Sequence, residues 1–234
     1  TSQDRFQNST IHSHHPSHSH HIHNLIFHSS DVRQRFRMMS MCTITEDPDT
    51  KIVHDICKKF INARISMKYD IMFQDKSERR DNILNNCNII GNTLENIFYP
   101  YLAGSIPTFE EGPKQASPDF WNRDKHYEWE LKAFTGVPNF DISNFVSYIN
   151  QLSTSGGLEK KLFKTKYIIF SYSVFDHYIS IDDYIIKSVW EIVKFSKKYP
   201  LSIQNKRGVW HNLRPCSFEE MKFGSKTSTK NTDT

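Results

Sequence analysis

The chain has 234 residues, of which 37% are hydrophobic and 13% aromatic, and a formal net charge of +4. That length supports one compact domain with tails. No apolar run approaches the ~18 residues of a membrane-spanning helix, and the first residues lack the basic start and apolar stretch of a secretory signal. The four cysteines (Cys42, Cys57, Cys87, Cys216) make no CxxC pair and no metal-finger spacing, which favours a reduced, cytoplasmic setting over a disulfide framework. Residues 1–37 hold four Arg against two Asp, so the rest of the chain is close to neutral. Only the local placement of charge can therefore speak for nucleic-acid binding.

Residues 1–40 read as a disordered leader, 41–220 as the folded domain and 221–234 as a disordered tail. The leader carries seven of the twelve histidines between His12 and His23, interleaved with Ser and without helical or strand period. Met38, Met39 and Met41 follow it, as expected of an extension ahead of the true start. A weak metal-binding role for the tract is the alternative, since neutral imidazoles are good ligands.

Asp49 or Thr50 can cap a helix through Ile52, Val53, Ile56, Phe60 and Ile61. Residues 68–82 are polar and predict a loop. A second helix is expected from about Asp81 to Tyr99, with Ile83, Leu84, Ile90, Leu94, Ile97 and Phe98 on its apolar face and Pro100 near its end. Gly104, Pro107, Gly112, Pro113 and Pro118 mark 104–118 as a connection. Residues 126–134 then alternate: Tyr127, Trp129 and Leu131 point one way, and Glu128, Glu130 and Lys132 the other. Asp141 or Ser143 can cap a short helix through Phe145, Val146, Ile149 and Leu152. Residues 165–175 are apolar enough for a central strand. Asp182 or Asp183 is expected to start a helix through Ile185, Val189, Trp190, Ile192, Val193 and Phe195, closed by Pro200. Residues 201–214 have short extended character. This order predicts an α/β sandwich, a mixed sheet flanked by helices.

One constellation carries chemistry. Magnesium prefers oxygen ligands and keeps several waters, so one or two carboxylates plus a substrate phosphate suffice to hold it. A lysine beside it can hold the attacking water and offset developing negative charge. An acid and a lysine two residues apart on one strand share a face, and a second acid on a neighbouring strand completes the set. Pro118-Asp119 followed by Glu130-Leu131-Lys132 has this form, with Phe120-Trp121 ending one strand and residues 122–125 supplying the turn. The bare string is weak, because Glu159-Lys160-Lys161, Glu220-Met221-Lys222 and Pro48-Asp49 also match parts of it. The alternating aromatic strand and the PD eleven residues upstream single out 130–132. The competing reading is a solvated cross-strand charge face made by Glu128, Glu130 and Lys132.

The segment from Ser117-Pro118-Asp119-Phe120 to Glu130-Leu131-Lys132-Ala133-Phe134 resembles the core of type II restriction endonucleases of the PD-(D/E)XK superfamily. Residues 138–145, 167–170, 189–192 and 206–215 agree in order, so the resemblance covers roughly 85–218 and is strongest to the group that includes NgoBV and NlaIV. It implies a restriction-endonuclease-like α/β core, Asp119 and Glu130 as Mg²⁺ ligands, and Lys132 at the nucleophilic water. It further implies cleavage of double-stranded DNA to 5′-phosphate and 3′-hydroxyl ends, a homodimer on a short palindrome, and a partner DNA methyltransferase. Nothing in the family matches the histidine-rich leader.

Glu95, on the helix before the motif, is a candidate fourth member of the site, against the plain reading of an exposed helical acid. Glu128 shares the strand face and reads as peripheral. Lys206, Arg207, Asn212 and Arg214 are the candidate DNA contacts, because Arg, Lys and Asn can bond base edges or phosphates; a solvated basic edge strand is the alternative. Lys160, Lys161, Lys164 and Lys166 form a second basic run, phosphate-facing or merely solvated. No GxSxG elbow, P-loop or GxGxxG occurs. Two other functions fit the same motif: a structure-specific repair or recombination nuclease, and a non-catalytic DNA-binding module of this fold.

Overall fold

The computed structural model describes residues 48–66, 71–72, 78–79, 86–113, 117–122, 124, 127–152, 154–155, 164–194, 202–206 and 208–223. Most of the expected leader and tail lies outside them, as do Ile83, Leu84, Phe195 and Pro200.

The first helix, α1 (Pro48–Phe60), forms where its spacing predicts. It buries Val53, Ile56, Cys57 and Phe60. Strand β1 (Arg64–Ile65) follows, and then the pair β2 (Ile71–Met72) and β3 (Glu78–Arg79), a small antiparallel ladder inside the expected 68–82 loop.

Helix α2 (Cys87–Ser105) differs from expectation at both ends. Asn86 caps it, its side chain accepting from the backbone N–H of Asn88 at 3.1 Å and of Ile89 at 3.3 Å. Pro100 lies inside the helix and does not end it. The buried stripe Ile90, Leu94, Phe98 and Leu102 repeats every four residues, so apolar contact continues past the proline and outweighs its lost hydrogen bond.

Strand β4 (Phe109–Glu111) lies within the breaker-rich 104–118 stretch. It pairs with β5 (Phe120–Asn122), which pairs in turn with β6 (Tyr127–Phe134), so the expected hairpin is present. Strand β7 (Thr165–Val174) runs parallel to β6. The helix expected from Asp182 is instead a strand, β8 (Ile179–Ser188), antiparallel to β7. Ile179 and Ile181 are fully buried there, and a register shift at Ser171/Tyr172 keeps pairing through the acidic pair. Asp182 accepts from the Ser173 hydroxyl at 2.8 Å, and Asp183 accepts from the Tyr184 N–H at 2.8 Å, so neither caps a helix. Helix α3 (Phe145–Leu152), between β6 and β7, carries the buried Tyr148. Its start is held by Asn144, not by Asp141 or Ser143: the Asn144 side chain accepts from the Ser147 N–H at 3.0 Å. One short turn, α4 (Val189–Ile192), is what remains of the helix expected after Asp182; Glu191 accepts from the Ser188 N–H at 2.8 Å and fastens its start.

Among the described residues the strands β1 and β4–β8 form a six-stranded mixed sheet in the order β1-β8-β7-β6-β5-β4. Helices α1 and α2 cover one face. Phe98 meets Phe60 at 5.2 Å and Phe170 edge-on at 5.6 Å between centroids, tying both helices to the central strand. Burying each such ring stabilises by roughly 1.5–3 kcal/mol. Strands β9 (Ile203–Lys206) and β10 (Val209–Leu213) form a separate hairpin turning at Gly208, which has a φ of 79°. The closing helix α5 (Phe218–Phe223) buries Met221, so the first residues of the expected tail, 221–223, are helix. No helix of the described residues is long and apolar enough to cross a membrane.

Candidate active site

Register builds the site. In the β5–β6 hairpin Phe120 faces Trp129 and Trp121 faces Glu128. One further step of that register brings Asp119 beside Glu130. The Asp119 carboxylate accepts from the Leu131 N–H at 2.6 Å, which ties it to the middle of β6. Its backbone carbonyl accepts from the Gly112 N–H at 2.7 Å, and the preceding Ser117–Pro118 peptide is cis.

Lys132 is drawn to both acids. Its ammonium donates to Glu130 Oε2 at 3.1 Å and lies 4.0 Å from Asp119 Oδ2. Glu130 is 5% exposed, although it sits on the polar side of the strand. The competing reading of a solvated charge face does not hold here, because Glu128 and Glu130 are both buried. Glu128 is equally buried and accepts from the Thr165 hydroxyl at 3.1 Å, which makes it part of the β6–β7 packing.

Asp119, Glu130, Lys132 and Glu95 line one cleft of about 840 Å³, together with Glu111, Tyr167 and the polar residues Asn92, Asn96, Ser147 and Gln151. Helix α2 contributes Glu95, so the four residues singled out in the sequence come together. Burial pushes the Asp119 carboxyl up to about 6, with Glu130 adding and Lys132 opposing. Burial likewise pushes Glu95 up to about 7, helped by Asp119 and opposed by Lys132. For Lys132 burial acts downward, but Glu130, Asp119 and Glu95 outweigh it and hold the ammonium above the ordinary lysine range. Carboxylates this close to each other in a part-buried cleft favour any added positive charge. Asp119 and Glu130 supply the oxygen donors that a hard divalent cation prefers, while among the described residues no three His, Cys, Asp or Glu side chains form a ready-made cluster.

The basic candidates lie elsewhere. Lys206 is exposed at the end of β9, and Arg207 lies outside the described residues. Asn212 forms a backbone bridge to Asn144, while the Leu213 N–H donates to the Ser143 carbonyl at 2.9 Å. The β9–β10 hairpin thus abuts residues 142–144, which border the cleft. Arg214 spends its guanidinium on this junction: Nη1 donates to Asp141 Oδ1 at 2.6 Å, and Nη2 donates to the Asn139 carbonyl at 3.3 Å and to its side chain. In the second basic run Lys166 donates to the Thr50 hydroxyl and lies 5.5 Å above the Trp129 ring, an internal role. Lys160 and Lys161 fall outside the described residues.

Tyr167, Glu111 and the α3 lip (Ser147, Gln151) carry no signal in the sequence. They reach the cleft only through long-range pairing, above all the parallel β6–β7 register that sets Tyr167 against Glu130, and no local spacing announces it.

The fold belongs to a recognisable class. The solved NlaIV restriction endonuclease superimposes with a TM-score of 0.58 at 22% identity, over 80% of this chain and 73% of that one. Residues 51–232 match the NgoBV restriction endonuclease family, and the chain belongs to that family. The type II restriction enzyme NlaIV of Neisseria lactamica is 28% identical over 142 residues, 58% of this chain and 57% of that protein, so the likeness spans little more than half of that relative.

Proposed function

We propose that this protein is a type II restriction endonuclease that cuts both strands of DNA at a short palindromic site, leaving 5′-phosphate and 3′-hydroxyl ends. The observation that carries the reading is the convergence of Asp119, Glu130 and Lys132, with the lysine ammonium within 4.0 Å of both acids in a cleft, in a chain of this family.

The donor set fits Mg²⁺: Asp119 keeps one carboxylate oxygen free of the Leu131 contact, and Glu130 adds a second carboxylate. These two would hold the ion, which when bound supplies charge neutralisation at the phosphate and a more acidic water. The chain's own contribution is positional. Lys132, held protonated by its acidic neighbours, acts as a donor: it orients the attacking water and offsets charge developing on the phosphate oxygens. Glu95 lines the same cleft and would serve as a fourth member of the site. Lys206 and Asn212 on the β9–β10 hairpin contact the DNA, with Arg207 as a further contact read from the sequence, and Arg214 holds that hairpin to the cleft wall. A homodimer would place one such site on each strand; the protein would act in the cytoplasm, where a partner DNA methyltransferase would protect the host sequence. Residues 1–40 stand outside this machinery.

The test is digestion of a plasmid of known sequence with Mg²⁺ and with a chelator. Discrete bands that need the cation and vanish in Lys132→Ala are expected. Diffuse or junction-specific cutting would favour a repair nuclease, and an unaltered protein that stays inert with Mg²⁺ would refute the catalytic reading.

A further inference from the structure

Tyr167 is a group in the cleft that the mechanism above leaves unused. It sits on β7 opposite Glu130 in the parallel register, is 4% exposed, and lines the cleft. A buried phenol ordinarily gives its O–H to an acceptor, because an unmet donor costs about 1–3 kcal/mol. Here no described residue hydrogen-bonds the Tyr167 hydroxyl. Nor is that oxygen among the side-chain polar atoms sealed from solvent, so it opens on the cleft. A donor held in place by a buried ring, with nothing on the described chain to receive it, is poised for something that enters.

The surroundings narrow what that is. Among the described residues, Glu95, Glu111, Asp119 and Glu130 line the cleft together with the cation Lys132. A second lysine or arginine at position 167 would pair with Glu130 and compete with any bound cation. A phenol is protonated at neutral pH, carries no charge, and offers one O–H donor without disturbing the carboxylates. Its position beside Glu130 is where the reacting phosphate must lie if Asp119, Glu130 and Lys132 serve it.

We propose that the Tyr167 hydroxyl donates a hydrogen bond to a non-bridging oxygen of the scissile phosphate, making Tyr167 a substrate-contacting residue of the site. The assignment rests on the nuclease reading above. The proton remains on the phenol throughout; its part is to stabilise charge that grows on the phosphate oxygens.

Tyr167→Phe removes only the hydroxyl. The unaltered protein and the variant are compared for cleavage rate at saturating DNA with Mg²⁺, for duplex affinity by fluorescence anisotropy, and for thermal unfolding. The expected result is a loss of roughly 10- to 100-fold in kcat, with affinity and Tm essentially unchanged. Cleavage by the variant equal to that of the unaltered protein overturns the assignment alone. So does a marked fall in Tm, which would make the hydroxyl a structural group, or a loss confined to affinity, which would place it on a remote part of the substrate. If neither protein cuts DNA with Mg²⁺, the nuclease reading fails and this assignment falls with it.

Discussion

Gly112 and Asp119 are fastened to each other through the backbone: the Gly112 N–H donates to the Asp119 carbonyl at 2.7 Å. The approach is so close that a Cβ at position 112 would collide with the Pro118 carbonyl oxygen. Only glycine fits between β4 and the residues leading into β5, and that fit fixes the backbone that carries Asp119.

Gly112→Ala is therefore expected to destabilise the protein by about 1–3 kcal/mol and to displace Asp119, with cleavage falling by at least about tenfold. Gly91→Ala is the control. That glycine is in the interior of α2, and a methyl added there would meet nothing within 4 Å, so the change should raise Tm and leave cleavage alone. Unfolding curves and plasmid digests of the two variants side by side check both statements.

Asp119→Asn should separate stability from activity. Burial lifts the Asp119 carboxyl to about 6 in the folded protein, above the unfolded value of about 3.9. The ionised form is thus penalised by folding, and at pH 8 the full penalty is present. Removing the charge should stabilise the metal-free protein by on the order of 2 kcal/mol at pH 8, because the amide oxygen can still accept from Leu131. Cleavage should drop by about 10²-fold or more. A variant that is both less stable and fully active would contradict the placement of this carboxylate.

Glu95 and Asp119 together set a pH dependence. Both carboxyls are raised, to about 7 and about 6, so between about pH 4 and pH 7 these two groups bind more protons in the folded chain than in the unfolded one. Stability contributed by their protonation is present at low pH and is lost as pH rises through those values. In the absence of divalent cations Tm should fall across that window. Added Mg²⁺ should restore it, and more strongly at pH 8 than at pH 5, because ligand carboxylates must be ionised. Thermal scans on a grid of pH and Mg²⁺ concentration measure this, and an equal Mg²⁺ effect at both pH values would argue against binding at these acids.

Arg214 offers a test of what its guanidinium does. Its fork joins Asp141 and Asn139 to the end of β10. Arg214→Ala should lower stability by roughly 1 kcal/mol, and Arg214→Lys should recover part of the loss, since a lysine keeps the charge but not the two-armed geometry. The salt dependence of DNA binding should be unchanged in both variants. A salt slope reduced by about one would instead mark Arg214 as a phosphate contact.

How much of this was legible in the chain differs by element. Helix α1 and strand β7 follow from local spacing, as does the β5–β6 hairpin with its acid, acid and lysine. In these segments the pattern of apolar residues and the secondary structure answer to the same forces. The 182–195 region shows the limit. Its acidic pair before an apolar run has the look of a helix start, yet β7 offers a full edge of unpaired backbone groups, and the isoleucines satisfy it as β8. Pro100 is a similar case, overruled by the burial of Leu102.

By itself the sequence determined which charged residues meet: Asp119 before one strand, and Glu130 and Lys132 two residues apart on the next, because strand alternation and a short hairpin are local consequences of residue order. The tertiary structure alone decided how buried those charges are, that Glu95 from α2 joins them in one cleft, that Gly112 locks Asp119 in place, and that Tyr167 stands opposite Glu130. Each of these depends on the packing of segments that do not adjoin in the chain. Desolvation and parallel strand register arise only when such segments meet, so they leave no periodic trace in either segment alone.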